Sequence, residues 1–312
     1  MNLNKIKRRD PSRRFFFLPY TFYMQFFARY RAYVLLFVLA LLNLGIWAAV
    51  FAESSRGVLT VAVLDVGQGD SIFIESPTGV QLLIDGGPDG SLLRELPTVM
   101  GAFDRSFNAI VETHPDADHI AGFIDLLVRY EVGAFIEPGI PKETLTWEVL
   151  QEKIATQKIP HLLARRGMRL ALGGGAELEI LYPTKDVSGL SSDKANEGGV
   201  VAKLTYGDAT MLFMADVSSK VEAELVKLDG TRLNVDLLKV GHHGSRTSTS
   251  DAFVKAVTPA AAVVSVGGDN NYGHPTRDVL DTLTKNAATI LRTDEVGTVV
   301  FVSDGGEFVR TR

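Results

Sequence analysis

The 312-residue chain contains no cysteine. That absence removes disulfides, thiolate metal sites and a cysteine nucleophile together, so any metal must be held by His, Asp, Glu or Asn. Histidine is scarce as well, with six in the whole chain. A net positive charge is confined to the N-terminal end. Residues 1–32 carry Lys5, Lys7, Arg8, Arg9, Arg13, Arg14, Arg29 and Arg31 against one acid, Asp10, a net +7, so a chain of net −5 leaves −12 on the remainder. A globular part that acidic lacks the basic footprint with which proteins grip duplex phosphates. Bound metal ions could supply local positive charge in its place. Internal repeats and low-complexity tracts are also absent. At 46% hydrophobic the chain can bury an ample core in one large domain or two small ones.

One long apolar run is present. From Tyr33 to Ala52 the sequence carries no charge, and about 20 such residues span a bilayer core. Basic residues precede the run and only Arg56 follows closely, so the positive-inside rule puts the N-terminus in the cytoplasm and everything after residue 53 outside. Val50-Phe51-Ala52 resembles a signal-peptidase site, but the run exceeds the usual h-region of about 7–15 residues. A buried core helix is the other alternative, and the terminal position and basic flank argue against it. The organisation expected is a basic cytoplasmic segment over 1–32, an uncleaved membrane anchor over 33–53 and a folded extracytoplasmic domain over 54–312. The lead-in, with Phe15-Phe16-Phe17, Tyr20, Phe22, Tyr23, Phe26 and Phe27, suits an interfacial helix or a disordered tail equally.

Beyond the linker Glu53–Gly57 the pattern is β-rich, with short apolar runs at Val58–Asp65, Ser71–Glu75 and Val80–Asp85 broken by Gly and Pro turns. A buried strand is expected at Phe107–Val111, and helices at 91–100, 119–130 and 143–157. A second β-rich block covers His161–Tyr182, followed by a polar loop at 183–198 and strands at 199–206, 210–215 and 235–240, with a helix at 218–228. The last quarter alternates helix (250–257, 276–287) with strand (260–266, 288–293, 297–302, 307–311). Two blocks of strands, each followed by helices, imply two sheets packed face to face with helices outside.

The most informative segment is His114-Pro115-Asp116-Ala117-Asp118-His119, which packs four metal-ligand side chains into six residues between a strand and a helix. Mixed imidazole and carboxylate suit a borderline divalent metal. A solvated loop with Asp116 or Asp118 as helix N-cap is the bland alternative. Asp65-Val66-Gly67-Gln68-Gly69-Asp70-Ser71 turns sharply after a strand, its glycines permitting close approach of backbone to whatever lies above. Ile84-Asp85-Gly86-Gly87 closes the next strand similarly. Asp216 ends an apolar strand, where it bridges metals or caps the next helix. Asn196-Glu197 lies in the preceding polar loop. Val240-Gly241-His242-His243-Gly244-Ser245 delivers two histidines onto a Gly-flanked turn, and Asn271-Tyr272-Gly273-His274-Pro275 adds another. Five of the six histidines fall in such strand-end turns, and His161 alone does not. A metal site produces that concentration; scattered surface histidines do not.

These motifs, in this order, resemble the metallo-β-lactamase superfamily, and more narrowly the C-terminal hydrolase domain of ComEC-type competence proteins. The resemblance covers residues 58–312 and implies an αββα sandwich with one or two divalent ions, Zn or Mn, at its rim. It implies His114 and Asp116 on a first metal, Asp118 and His119 on a second, a bridging Asp216, and one of His242 or His243, given as His242, completing the shell with His274 nearby. The family's H-x-H-x-D-H has Asp116 in its second His place, as in ComEC-type domains, which moves the chemistry away from the lactamases. Asn196 stands where the lactamases have their third-motif His, Gly198-Gly199 replaces the Ser that usually follows the Asn, and Met214-Ala215-Asp216 replaces Thr-Gly-Asp. One helix stands where the competence proteins carry a many-helix channel, so the expectation is an anchored hydrolase domain served by a separate channel protein.

The function implied is a metal-dependent phosphodiesterase or nuclease acting on DNA outside the cell membrane. A metal lowers the pKa of bound water from about 15.7 to roughly 7, and two ions roughly 3.5–4 Å apart clamp the attacking and leaving oxygens of a phosphodiester. Asp118 orients the hydroxide, and His274 or the non-ligating member of the His242/His243 pair, given as His243, protonates the leaving group. Ser245 and Thr247 are placed to hold non-bridging phosphate oxygens. The alternatives are a hydrolase of another extracytoplasmic phosphodiester, such as a phosphocholine or envelope ester, and a non-catalytic metal-binding module.

Overall fold

The computed structural model describes residues 20–54, 57–101, 103–286 and 288–312. The lead-in up to residue 19 and residues 55–56 of the linker lie outside the described residues. The chain divides into two compact units between Ser54 and Ser55. In the first, α1 (Tyr20–Ser54) is one continuous helix. It starts well before the apolar run because residues 20–32 contain neither Pro nor Gly to stop it. Its stretch Tyr30–Ala48 is long and apolar enough to cross a membrane, and Leu35, Phe37 and Leu44 there are exposed.

The second unit begins with the antiparallel strands β1 (Leu59–Val63), β2 (Ile72–Glu75) and β3 (Gln81–Ile84). After the short α2 (Leu92–Glu95) and β4 (Ser106–Phe107), a parallel series follows: β5 (Ala109–Val111), α3 (Ala117–Arg129), β6 (Glu131–Val132), β7 (Phe135–Glu137), α4 (Leu145–Thr156) and β8 (His161–Leu163). The next stretch repeats this plan. Antiparallel β9 (Arg169–Gly173), β10 (Ala176–Tyr182), β11 (Val201–Tyr206) and β12 (Ala209–Phe213) lead into parallel units with α5 (Ser219–Asp229), β13 (Leu237–Lys239), α6 (Asp251–Val257), β14 (Ala261–Val264), α7 (Arg277–Lys285) and β15 (Thr289–Arg292). After α8 (Thr293–Val296), the last strands β16 (Val299–Ser303) and β17 (Val309–Arg310) return to the first sheet, where β16 pairs with β1. Among the described residues the sheets run β17-β16-β1-β2-β3-β5-β7-β8 and β15-β14-β13-β12-β11-β10-β9, with a small β4-β6 pair beside them. The two halves share a topology although their sequences show no repeat.

Strand alternation builds the layers. In β2, Ile72 and Ile74 face the inter-sheet core while Phe73 faces the helices; in β12, Met211 and Phe213 face inward and Leu212 outward. The inter-sheet core joins Val61, Val63 and Ile84 of the first sheet to Leu178, Leu204 and Leu237 of the second. Outside the first sheet, Ile120, Phe123, Leu126 and Leu127 form the buried face of α3; outside the second, Leu225, Phe253, Val257 and Leu283 cover Leu238 and Val264. The αββα class expected from the resemblance is the observed one.

Local differences have local causes. The strand expected over Phe107–Val111 is split, because Asn108 turns its backbone N–H and its Oδ1 to Gln81 (2.9 and 2.8 Å). Strand β7 has no counterpart in the sequence reading, being three residues long, too short for a period to register. The polar loop at 183–198 ends in 3₁₀ turns over Ser192–Gly198. For the site, the important feature is direction. The chain leaves β3, β5, β12, β13 and β14 at one end of the sandwich and enters there every turn that carries chemistry.

Candidate metal centre

Strand β3 ends in Asp85, which has φ of 59° and is fully buried. Its carboxylate accepts from the Thr113 N–H and hydroxyl (2.7 Å each) and from His119 Nδ1 (2.7 Å). Helix α3 is docked onto this turn through backbone: Gly86 N–H donates to the His119 carbonyl (2.6 Å) and Gly122 N–H to that of Gly87 (3.1 Å). Gly122 cannot carry a side chain, since a Cβ there would lie 1.9 Å from the Gly86 oxygen. Asp85 thereby fixes the tautomer of His119, turns its Nε2 outward and holds Thr113 against His114 Nδ1 (3.0 Å). The turn after β1 closes the floor. Gly69 has φ of 137°, and a Cβ there would lie 2.1 Å from the carbonyl oxygen of Asp118, so its glycine lets the loop pass directly beneath the metal-loop helix.

The second sheet supplies the facing wall. Ala215, His242 and His243 all adopt left-handed backbone (φ 48°, 50° and 51°), a conformation that costs a non-glycine residue roughly 1–2 kcal/mol. Such strain persists where the surroundings enforce it. His243 is buried, and its Nδ1 lies 3.0 Å from the Ser265 carbonyl and 3.4 Å from Asp70. Asp70 accepts from the fully buried Lys239 (2.6 Å). His242 sits at the mouth, 27% exposed, with Nδ1 against the Thr247 hydroxyl (3.1 Å). Thr247 and Ser245 hydroxyls are 3.0 Å apart, so this pair braces His242.

Donor atoms from both walls converge without bonding one another. Asp216 Oδ2 lies 3.5 Å from His119 Nε2, 3.4 Å from His243 Nε2 and 3.6 Å from His242 Nε2; Asp118 Oδ2 lies 3.5 Å from His243 Nε2 and 3.9 Å from His119 Nε2; Asp116 Oδ2 lies 3.7 Å from His114 Nε2. A direct N–H···O bond would be about 2.7–3.2 Å. Two ligands about 2.1 Å from a shared tetrahedral ion lie roughly 3.4 Å apart. His114 Nε2, His119 Nε2, His243 Nε2 and Asp216 Oδ1 are buried with no hydrogen-bond partner. Buried polar atoms are rarely orphaned, and these residues fall into overlapping donor groups, His114 with His119 and Asp216, and His119 with His243 and Asp118. The donor set fits a divalent metal.

Electrostatics agree. Burial opposes ionisation of Asp216 and Asp118, yet the imidazoles of His243 and His119 outweigh it, holding Asp216 well below the usual carboxylate range and Asp118 at about 2. The same carboxylates, with Asp85 and Asp70 behind, overcome burial to push His119 and His243 well above the ordinary imidazole value. His114 goes the other way, held down by burial and by His119. Carboxylates and imidazoles thus stabilise one another's charge here, and a metal would compete with protons for the same ligand atoms.

Residues 64–268 match the sequence profile of the metallo-β-lactamase superfamily. The chain belongs to that superfamily. It is 29% identical over 272 residues to ComE operon protein 3 of Bacillus subtilis, covering 80% of this chain and 33% of that protein. It is likewise 29% identical over 241 residues to competence protein ComA of Neisseria gonorrhoeae, covering 77% and 32%. The chain thus spans about a third of the length of these curated relatives, and the narrower resemblance to competence proteins holds. Among solved structures, the metallo-β-lactamase fold protein YhfI of Bacillus subtilis shares the fold, with a TM-score of 0.54 at 13% identity over 78% of this chain and all of that one.

Within this metallo-β-lactamase domain, the structure gathers His114, Asp118, His119, Asp216 and His243 into overlapping donor groups. Asp116 occupies the N-cap position of α3, but its side chain makes no cap; one oxygen accepts from Lys142 instead. His242 takes part in no three-residue donor group among the described residues, and His243 is the more deeply buried member of the pair. His274 lies at the mouth, its ring 5.7 Å from that of His242 and stacked on exposed Tyr272. Asn196 lines the adjoining cleft with Asp216 and His242. His161 is apart from the cluster, paired with Glu137 at 2.5 Å. Sequence reasoning missed the roles of Asp70, Asp85 and Lys239 behind the histidines, although Gly69-Asp70 before β2, Asp85-Gly86 after β3 and the Lys before Val240-Gly241 were the available signals.

Proposed function

We propose that this chain is a membrane-anchored metallo-hydrolase that cleaves phosphodiesters, DNA foremost, outside the cytoplasmic membrane. Two of the relatives are named for competence or recombination, which supports a nucleic-acid substrate. The domain plan that goes with this reading is a basic cytoplasmic segment over 1–32, a membrane span over 33–53 and the hydrolase domain over 54–312, with a separate channel protein as partner; the apolar stretch Tyr30–Ala48 supports it. The observation that carries the reading is the set of buried, unpartnered donor atoms in overlapping His/Asp groups.

His114, Asp118, His119 and Asp216 would hold the metal, Zn or Mn, with Asp116, paired to Lys142, at its edge. The burial of His243 and its unpartnered Nε2 support it as a ligand in preference to His242. A bound divalent ion supplies Lewis acidity, letting water give up a proton near neutral pH and offsetting charge on phosphate oxygens. The protein's own groups do the rest. Asp118, ionised and partly open to the cleft, orients the attacking water and accepts its hydrogen bond. His242, backed by Thr247, and His274 stand at the mouth where a leaving oxygen takes up its proton. The acidic domain supports a second reading, a small envelope phosphodiester as substrate, because long-range attraction for duplex DNA is lacking.

The test is to assay the full chain in detergent with added Mn or Zn against single- and double-stranded DNA and bis(p-nitrophenyl) phosphate, beside Asp118→Ala. Cleavage of DNA that is lost in Asp118→Ala supports the reading; cleavage of the small ester alone favours the second; no cleavage of either sinks both.

A further inference from the structure

Asp116 has two neighbours that compete for it. One oxygen faces the unpartnered His114 Nε2 at 3.7 Å, as a metal ligand would. The other accepts a hydrogen bond from Lys142, which arrives 26 residues later on the segment between β7 and α4. Lys142 is only 17% exposed and has no other hydrogen-bond or ion-pair partner among the described residues. Among the described residues, every donor group that could close on an ion is built from Asp70, Asp85, His114, Asp118, His119, Asp216 and His243, and Asp116 belongs to none.

We infer that Lys142 provides, as a fixed ammonium, the positive charge that a second metal ion would otherwise bring, so that the centre retains a single tightly bound divalent ion. The inference rests on the metallo-hydrolase reading above. The charge already beside Asp116 favours it. A divalent ion bound at Asp116 would stand next to the Lys142 ammonium in a half-buried place, where like charges are poorly screened. The ammonium is also presented to ligand. Lys142 lines a cleft of about 740 Å³ together with Asp116, Asp216, His242 and Thr247. There it can meet a non-bridging phosphate oxygen as a point charge.

The experiment counts metal. The full chain in detergent is loaded with excess Mn(II), desalted and assayed by inductively coupled plasma mass spectrometry, alongside Lys142→Met and Lys142→Arg. One ion per chain is expected in the wild type and in Lys142→Arg, which keeps the charge, and two in Lys142→Met, which vacates Asp116. Electron paramagnetic resonance of the Mn-loaded proteins should show isolated ions in the first two and a spin-coupled pair in the third. Two retained ions in the wild type, or one in Lys142→Met, would overturn the inference while leaving the metallo-hydrolase reading intact. No retained metal in the wild type would sink that reading and this inference with it.

Discussion

Replacing Lys239 by methionine should cost roughly 3–5 kcal/mol of stability, because it strands a buried carboxylate. Lys239 is fully buried and Asp70 is 1% exposed. The ammonium donates to Asp70 Oδ2 (2.6 Å) and to the Val240 carbonyl (3.1 Å), while Asp70 Oδ1 has no hydrogen-bond partner. Methionine fills nearly the same space, so the loss is electrostatic rather than a cavity. For a domain of this size the change should lower the melting temperature by roughly 6–20 °C, at about 2–4 °C per kcal/mol. The loss should also depend on pH. Burial pushes the Asp70 carboxyl up, but Lys239 and then His243 hold it below its ordinary range. In the wild type its contribution is therefore present above the unfolded pKa of about 3.9 and fades as pH falls through the lower folded value. Without Lys239 burial dominates, the folded pKa rises, and stability instead declines as pH climbs past about 4. The variant's deficit should widen between pH 5 and pH 8. Thermal and urea unfolding of the full chain, with Asp70→Asn and the double variant completing a cycle, measures this. A Lys239→Met protein within 1 kcal/mol of wild type, or a double variant no better than the single, would refute the reasoning.

Asp85→Asn should weaken metal binding roughly 10–100-fold, since it removes the acceptor that orients His119; competition against a chelator reads the change, and unaltered affinity would count against that wiring. His243→Ala should lose metal content, whereas His242→Ala should keep its metal and lose turnover, a contrast that metal analysis and kcat together resolve. Gly122→Ala should destabilise by roughly 1–3 kcal/mol or more, because the new methyl collides with the Gly86 carbonyl rather than with a yielding side chain; an unchanged urea midpoint would mean α3 can back away from its turn.

The layers and the donor cluster were legible because each depends on local pattern. Strand alternation in β2 and β12 marks its own two faces, and the strand-end turns concentrate five of six histidines. What stayed hidden depends on partners far along the chain. Lys142 carries no local mark of its bond to Asp116, and Lys239 meets Asp70 across 169 residues. The turns holding Asp70 and Asp85 announced backbone freedom, which they have, but not the carboxylates' roles beneath the histidines. The order of His242 and His243 is set by which way a left-handed turn rolls, and adjacency in sequence does not encode that. Pattern likewise cannot reveal β7, whose three residues earn their place in the middle of a parallel sheet only through both neighbours.

The return of β16 to the first sheet sets an order of assembly. Strand β1 is synthesised early, yet one of its edges stays open until Val299–Ser303 emerges and pairs with it. Through most of synthesis the nascent chain carries an apolar strand, Leu59–Val63, with a row of unpaired backbone groups just past the apolar helix. Open edges of that kind recruit other chains. Val299–Ser303 thus acts as a clasp: a ribosome that stops short of it releases a protein with the donors His114 to His243 in place and an unguarded sheet.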